Sequence, residues 1–174
     1  AWVMLVITVV AAGTFFGLTL LTKAVTGTEQ LVNYHHQIAV LLVTAGVTAL
    51  LGEPVLGYLD LTVLGLGTVL AFGRLGCLLA GCCHGRPHRW GMRYGDRPGF
   101  DPRFAGARLF PAQLAEAALC AGVVCGGVVM VLNGAPVLAW YLIVYGAGRF
   151  ILEFFRGDAR AHKGGFSEAQ WTAL

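Results

Sequence analysis

Residues 73–85 read Gly-Arg-Leu-Gly-Cys-Leu-Leu-Ala-Gly-Cys-Cys-His-Gly, so an arginine, three cysteines and a histidine stand together at the end of an apolar run. An arginine near hydrocarbon is costly unless a carboxylate or an anionic ligand pairs with it. A second charged set lies at Tyr145–Arg156, where Glu153 follows Arg149 by four positions and Arg156 follows Glu153 by three. In a continuous helix that spacing puts all three on one face. Glu153 is then the expected partner of Arg149, and the surplus positive charge can meet an anion. Arg74 and Arg149 are expected to converge on one intramembrane cavity and to take a phosphate or carboxylate ligand, a phospholipid headgroup being the most available anion there.

Further polar residues gather at the ends of apolar runs. His35 and His36 precede the second run, and a neutral imidazole there can serve as general base or hydrogen-bond donor. Pro111, Gln113 and Glu116 open the fourth run. A proline at a helix start is ordinary, while a glutamine and a glutamate just inside the membrane read either as solvation of the helix start or as functional polar groups. Cys77, Cys82, Cys83, His84 and His88 do not follow the paired spacing of structural zinc sites. Three readings of these thiols stay open: metal or redox chemistry, a thiol placed for covalent work, and packing or polar lining. Cys120 and Cys125, set among Ala, Val and Gly, read as small packing residues.

The elements that must carry these groups are membrane helices. Of the 174 residues 57% are hydrophobic and only 12% charged, against about 25% charged in soluble domains, and the mean hydropathy is +0.72. Apolar stretches recur at Trp2–Thr22, Ile38–Leu51, Leu59–Ala80, Leu114–Leu132 and Val137–Phe155, most near the roughly 20 residues needed to cross hydrocarbon. The expected fold is all-α, a polytopic transmembrane helix bundle of about five spans, the second the shortest. Gly65 with Gly67, and Gly122 with Gly126, suit close helix contact. The first stretch lacks the marks of a signal peptide, and an apolar run starts at Phe166. Residues 1–174 therefore read as one transmembrane domain forming the C-terminal part of a larger bundle.

Alternate crossing brings 23–37, 82–110 and 156–170 out on one side, with 52–57 and 133–136 as tight turns on the other. The segment 84–110 carries Arg86, Arg89, Arg93, Arg97, Arg103 and Arg108, and its prolines and glycines predict an irregular basic loop. It reads either as a solvated loop obeying the positive-inside rule or as a lid touching lipid headgroups. A net charge of +3 on so apolar a chain argues against nucleic acid as a partner.

Taken together, these strings resemble the prolipoprotein diacylglyceryl transferase family from about residue 34 onward. Gly73, Arg74, Gly76 and Gly85 match the family signature, while Cys77 and Cys82 stand where the family has asparagine and glutamate. Pro111, Gln113, Leu114 and Glu116 echo a second segment, Tyr145–Arg156 match a third throughout, and Ser167 with Gln170 a fourth. Tyr34-His35-His36-Gln37 replaces a His-Gly-Gly segment, so either histidine can correspond.

The resemblance implies a bacterial plasma (inner) membrane, multi-pass enzyme that moves diacylglyceryl from phosphatidylglycerol to the cysteine thiol of a lipoprotein signal peptide, with no cofactor and no metal. It implies that Arg74 and Arg149 hold the phosphate and that His35 or His36 deprotonates the thiol. Glu153 orients Arg149, while Gly85, Cys77, Cys82, Gln113, Glu116 and Arg156 line the substrate site. It also implies an active site facing outward, whereas the positive-inside rule puts the arginine-rich face in the cytoplasm; the resemblance is followed. The two thiols in polar positions suggest a divergent branch with another acceptor. Two other readings stay open: a membrane thiol-redox or metal-binding protein using Cys77, Cys82, Cys83 and His84, and a non-catalytic lipid-binding or transport bundle.

Overall fold

A computed structural model describes residues 2–26, 33–95, 100, 102–157 and 162–174. Its long helices are α1 (Trp2–Thr26), α2 (Asn33–Leu50), α3 (Val55–Ala80), α4 (Ala112–Leu132) and α5 (Leu138–Glu153), one for each apolar run. Three of them, at Trp2–Val25, Val55–Ala80 and Ala112–Leu132, are long and apolar enough to cross a membrane. The other two are shorter, α2 at 18 residues and α5 at 16. The chain divides into two compact units, residues 1–66 with 130–138 and residues 67–129 with 139–174.

In the first unit α1 packs on α2, and the two expected tight turns are built alike. After α2, Gly52 takes φ +71°, its N–H donates to Ala49 O and Glu53 N–H donates to Thr48 O. After α4, Gly134 has φ +71°, with Gly134 N–H donating to Val131 O and Ala135 N–H to Met130 O. Both are Schellman motifs, which satisfy the last carbonyls of a helix and suit a residue without Cβ. Asp60 then receives the N–H groups of Val137 and Leu138 at 2.9 and 2.7 Å. The lone acid inside the third run thus caps the start of α5.

The second unit carries the remaining parts of α3, α4 and α5. A Cβ at Gly67 would come within 2.7 Å of Val124 and 3.0 Å of Tyr141, and one at Gly126 within 2.9 Å of Trp140. Gly65 and Gly122, expected at helix contacts as well, face nothing within 4 Å. Gly148 is a contact the spacing did not single out, since its Cβ would meet Leu119 at 2.5 Å.

The basic segment 84–110 departs from an irregular loop. Strand β1 (Pro87–Arg93) pairs antiparallel with β2 (Arg108–Leu109), and a 3-10 turn at Pro102–Phe104 lies between them. The ladder breaks between Pro87 and Met92, where Gly91 approaches the Leu109 backbone so closely that a Cβ would sit 2.5 Å from it. Its prolines and glycines point to irregular backbone, but Pro87 stands at the strand start and Gly91 at the irregularity, places where a sheet accepts them. Arg97, Asp96, Pro98 and Asp101 lie outside the described residues.

Beyond α5, β3 (His162–Lys163) and β4 (Phe166–Ser167) form a hairpin through Gly164 and Gly165. Phe166–Leu174, the start of the last apolar run, makes β4 and helix α6 (Glu168–Ala173). Ser167 and Gln170 form a capping box: Gln170 N–H donates to Ser167 Oγ at 3.3 Å and Ser167 N–H donates to Gln170 Oε1 at 3.0 Å. The Ser-x-x-Gln string is therefore a helix-start device.

Candidate functional site: a buried arginine and glutamate cluster

Within the second unit, three arginines meet on one carboxylate. Arg74 comes from the last two turns of α3, Glu116 from the start of α4, and Arg149 from the end of α5. Arg74 Nε lies 3.0 Å from Glu116 Oε2 and Arg149 Nε 3.5 Å from Oε1. Arg156 Nη1 lies 3.8 Å from Oε2, and the Tyr145 hydroxyl donates to Oε1 at 3.2 Å. Arg149 Nη1 also pairs with Glu153, one turn on. All five charged residues are buried, Arg149 and Glu116 to 1% exposure.

Three guanidiniums against two carboxylates leave one positive charge in excess, enclosed where the dielectric is low. Such an arrangement is unfavourable by itself and becomes favourable when one anion joins it. Arginine forks match phosphate and carboxylate in shape as well as charge.

The expected pairing of Arg149 with Glu153 is present, and Arg74 and Arg149 are brought together. They meet through Glu116, which the spacing placed at a helix entrance without making it the hub. Arg156 arrives by a different route from the one helical spacing suggested. Helix α5 ends at Glu153, a turn follows in which Arg156 N–H donates to Glu153 O at 3.2 Å, and Arg156 is fixed by an antiparallel bridge to Gly85. Tyr145, the sixth polar member, stands in the sequence at the head of the string that ends at Arg156.

Gly85 holds the segment after α3 against its neighbours. Its N–H donates to Phe110 O at 2.8 Å, Arg86 N–H donates to Phe155 O at 2.9 Å, and Phe110 N–H donates to Arg86 O at 2.9 Å. A Cβ at Gly85 would lie 2.6 Å from Phe155 O and 2.7 Å from Phe110 O, both backbone atoms that cannot swing away. Gly85→Ala is expected to cost about 1–3 kcal/mol through overpacking, read as a lower melting temperature in detergent micelles.

Gln113, fully buried, donates from Nε2 to Cys82 O and accepts at Oε1 from the Tyr94 hydroxyl at 3.2 Å. It pins the turn that carries the thiols. The sulfurs of Cys77, Cys82 and Cys83 lie within 4.8 Å of one another. The Cys83 thiol is lowered to about 5 by its hydrogen bond with Cys77 and by the charges of Arg156 and Arg74, against the opposing effect of burial. Burial and the neighbouring Cys83 push the Cys82 thiol up, and burial raises Tyr94. His84 does not join the thiols: its ring packs among Tyr94, Phe100 and Phe104, with Nδ1 3.1 Å from Gly85 O. His88 stacks edge-on against Phe110, and its Nδ1 accepts from Trp90 N–H.

The two candidate bases belong to the first unit. His36 is buried, with Nε2 3.1 Å from Thr19 Oγ1 and its ring against Phe15, whereas His35 is exposed. A cavity of about 410 Å³ opens between α3 and α4, lined by Ala71, Phe72, Leu75, Leu114, Ala118 and Val124 among others. Its walls are almost wholly apolar, and Leu75 and Leu114 are the chain neighbours of Arg74 and Gln113.

Long apolar helices, with a buried cluster of arginines and glutamates and an apolar cavity lined by residues next to it in the chain, define a membrane-embedded protein with a charged, enclosed centre. The family model described as prolipoprotein diacylglyceryl transferase matches residues 8–174, and the chain belongs to that family. A phosphatidylglycerol--prolipoprotein diacylglyceryl transferase of Clostridium tetani (strain Massachusetts / E88) is 35% identical over 125 residues, 69% of this chain and 49% of the relative. A second enzyme so named, number 2 of Clostridium perfringens (strain 13 / Type A), is 33% identical over 125 residues, 69% of this chain and 48% of its own length. The chain spans about half the length of these curated relatives. No solved structure matches it.

Proposed function

We propose that the protein is a phospholipid-dependent transferase of the bacterial plasma membrane, moving the diacylglyceryl group of phosphatidylglycerol to the cysteine thiol of a lipoprotein precursor. The observation that carries this reading is the single excess positive charge of the Arg74, Arg149, Arg156, Glu116 and Glu153 cluster. It suits one phosphodiester, and the apolar cavity between α3 and α4 suits an acyl chain. The names of both curated relatives support the same reaction.

In this mechanism the acceptor thiolate attacks the glycerol carbon that bears the phosphate. A carbon–sulfur bond forms, the carbon–oxygen bond breaks, and glycerol phosphate departs with the bonding pair. Negative charge grows on the departing oxygen, where preorganised cations help most; Arg74 and Arg149 take that role. Glu153 and Glu116 orient the guanidiniums, and Arg156 adds a third cation to the same pocket. The thiolate is the nucleophile, and it is the family resemblance that assigns the thiol proton to His35 or His36. Gln113, Gly85, Cys77 and Cys82 shape the adjoining wall. Nothing in the comparisons favours a thiol-redox or metal enzyme instead, because both relatives are named as transferases.

Incubation of the protein with phosphatidylglycerol and a signal peptide bearing one cysteine should add one diacylglyceryl mass to the peptide, and none to the same peptide with serine. An unmodified cysteine peptide, with the protein folded and lipid bound, would refute the reading.

A further inference from the structure

We propose that Cys77, Cys82 and Cys83 form an all-sulfur binding site for a thiophilic d10 metal ion of the zinc class. The three Sγ atoms already lie within 4.8 Å of one another. A metal–sulfur bond of about 2.3 Å sets sulfurs about 3.8–4.0 Å apart in a tetrahedral or trigonal site. The thiols therefore need to close by no more than about 1 Å, within the reach of small χ1 changes.

The backbone is bent to make this convergence. Helix α3 ends at Ala80, Gly81 takes φ +77° and Cys83 φ +58°. Cys83 is the non-glycine residue with positive φ among those described. An L-residue in that region is uncommon and persists where its surroundings hold it. The result folds Cys82 and Cys83 back over the last turn of the helix toward Cys77. Gln113 fixes the turn from outside through the Cys82 carbonyl. Exposure is graded across the three: Cys82 is exposed, while Cys77 and Cys83 are half-buried. An ion has an entry path and a partly enclosed seat, two requirements of a usable site.

The ligand set decides the class of ion. His84 is turned into its aromatic neighbours, so the converging donors are sulfur alone, which favours soft cations over magnesium or calcium. Three thiolates leave one coordination position of a tetrahedral ion open. Cys120 and Cys125, both on α4, take no part. This inference requires neither phosphatidylglycerol nor an acceptor, so it stands or falls apart from the transferase reading.

The test uses protein purified in detergent, reduced and then freed of reductant without oxygen, and titrated with Zn2+ alone against a chromophoric chelator. The expected result is one Zn2+ per chain, with three sulfur neighbours at about 2.3 Å in zinc K-edge absorption. Cys82→Ser is the decisive variant because Cys82 is exposed and its loss leaves the core packing intact. It should weaken binding by about 100-fold or more, at least the upper end of what losing an indirect partner of a ligand costs. Cys125→Ser should leave the Zn2+ affinity unchanged. Fewer than three sulfur neighbours, or unaltered affinity in a helical Cys82→Ser protein, would overturn the proposal. So would a disulfide among these three cysteines in protein taken directly from membranes, seen as an intact mass short by two hydrogens.

Discussion

Glu116→Gln is expected to cost about 3–5 kcal/mol of stability, because it leaves three buried guanidiniums facing the single carboxylate of Glu153. Glutamine keeps the shape and can still accept from Tyr145, so the loss isolates the charge. Thermal melts in detergent read the first effect. The second is functional: Arg74 and Arg149 lose the group that sets their common geometry, and transfer should fall by at least about 100-fold, comparable to removing one donor from a preorganised anion site. High concentrations of an anionic lipid should partly restore the melting temperature of the variant, since an anion can stand in for the missing carboxylate charge.

Arg149→Gln is expected to lower kcat by about 10²–10³, the range for deleting one charge-stabilising donor. The cluster then holds two arginines against two glutamates and its excess positive charge is gone, so affinity for phosphatidylglycerol should fall together with kcat. Arg149→Lys should land between wild type and Arg149→Gln. It keeps the charge but loses the planar fork that grips both a phosphate and Glu153. Unchanged lipid affinity in Arg149→Gln would remove this residue from the phosphate site.

Much of the frame was legible from composition. Apolar length alone separates the five helices, and the two short turns expected between them are closed by glycines two positions past each helix, Gly52 after Leu50 and Gly134 after Leu132. The i, i+4 pair of Arg149 and Glu153 is a local rule of helix geometry and came through unchanged. Glu116 is different in kind. Its partners come from α3, α5 and the chain beyond α5, separated by tens of residues, and no periodicity within α4 reports them. Arg156 shows the same limit, because its place depends on where α5 stops and on the bridge to Gly85.

The described part of segment 84–110 departs from the expected irregular loop for a physical reason. Prolines and glycines forbid regular structure only when they stand where a ladder needs an N–H or a side chain, and here they stand at a strand start and at an irregularity. The thiols illustrate a third case. Cys77, Cys82 and Cys83 lack any zinc spacing along the chain, yet the left-handed backbone at Gly81 and Cys83 folds them together. His84, the residue that made the string look like a mixed ligand set, packs elsewhere.

In the proposed mechanism the buried cationic cluster acts on the phosphate ester of a phospholipid. The most direct test is glycerol phosphate release from phosphatidylglycerol, measured with acceptor peptide for the wild type and for Arg74→Gln and Arg149→Gln proteins of unchanged helical content. Release in step with acceptor modification by the wild type, reduced by about 100-fold or more in both variants, is the predicted result. Release that is undiminished in both variants would contradict it.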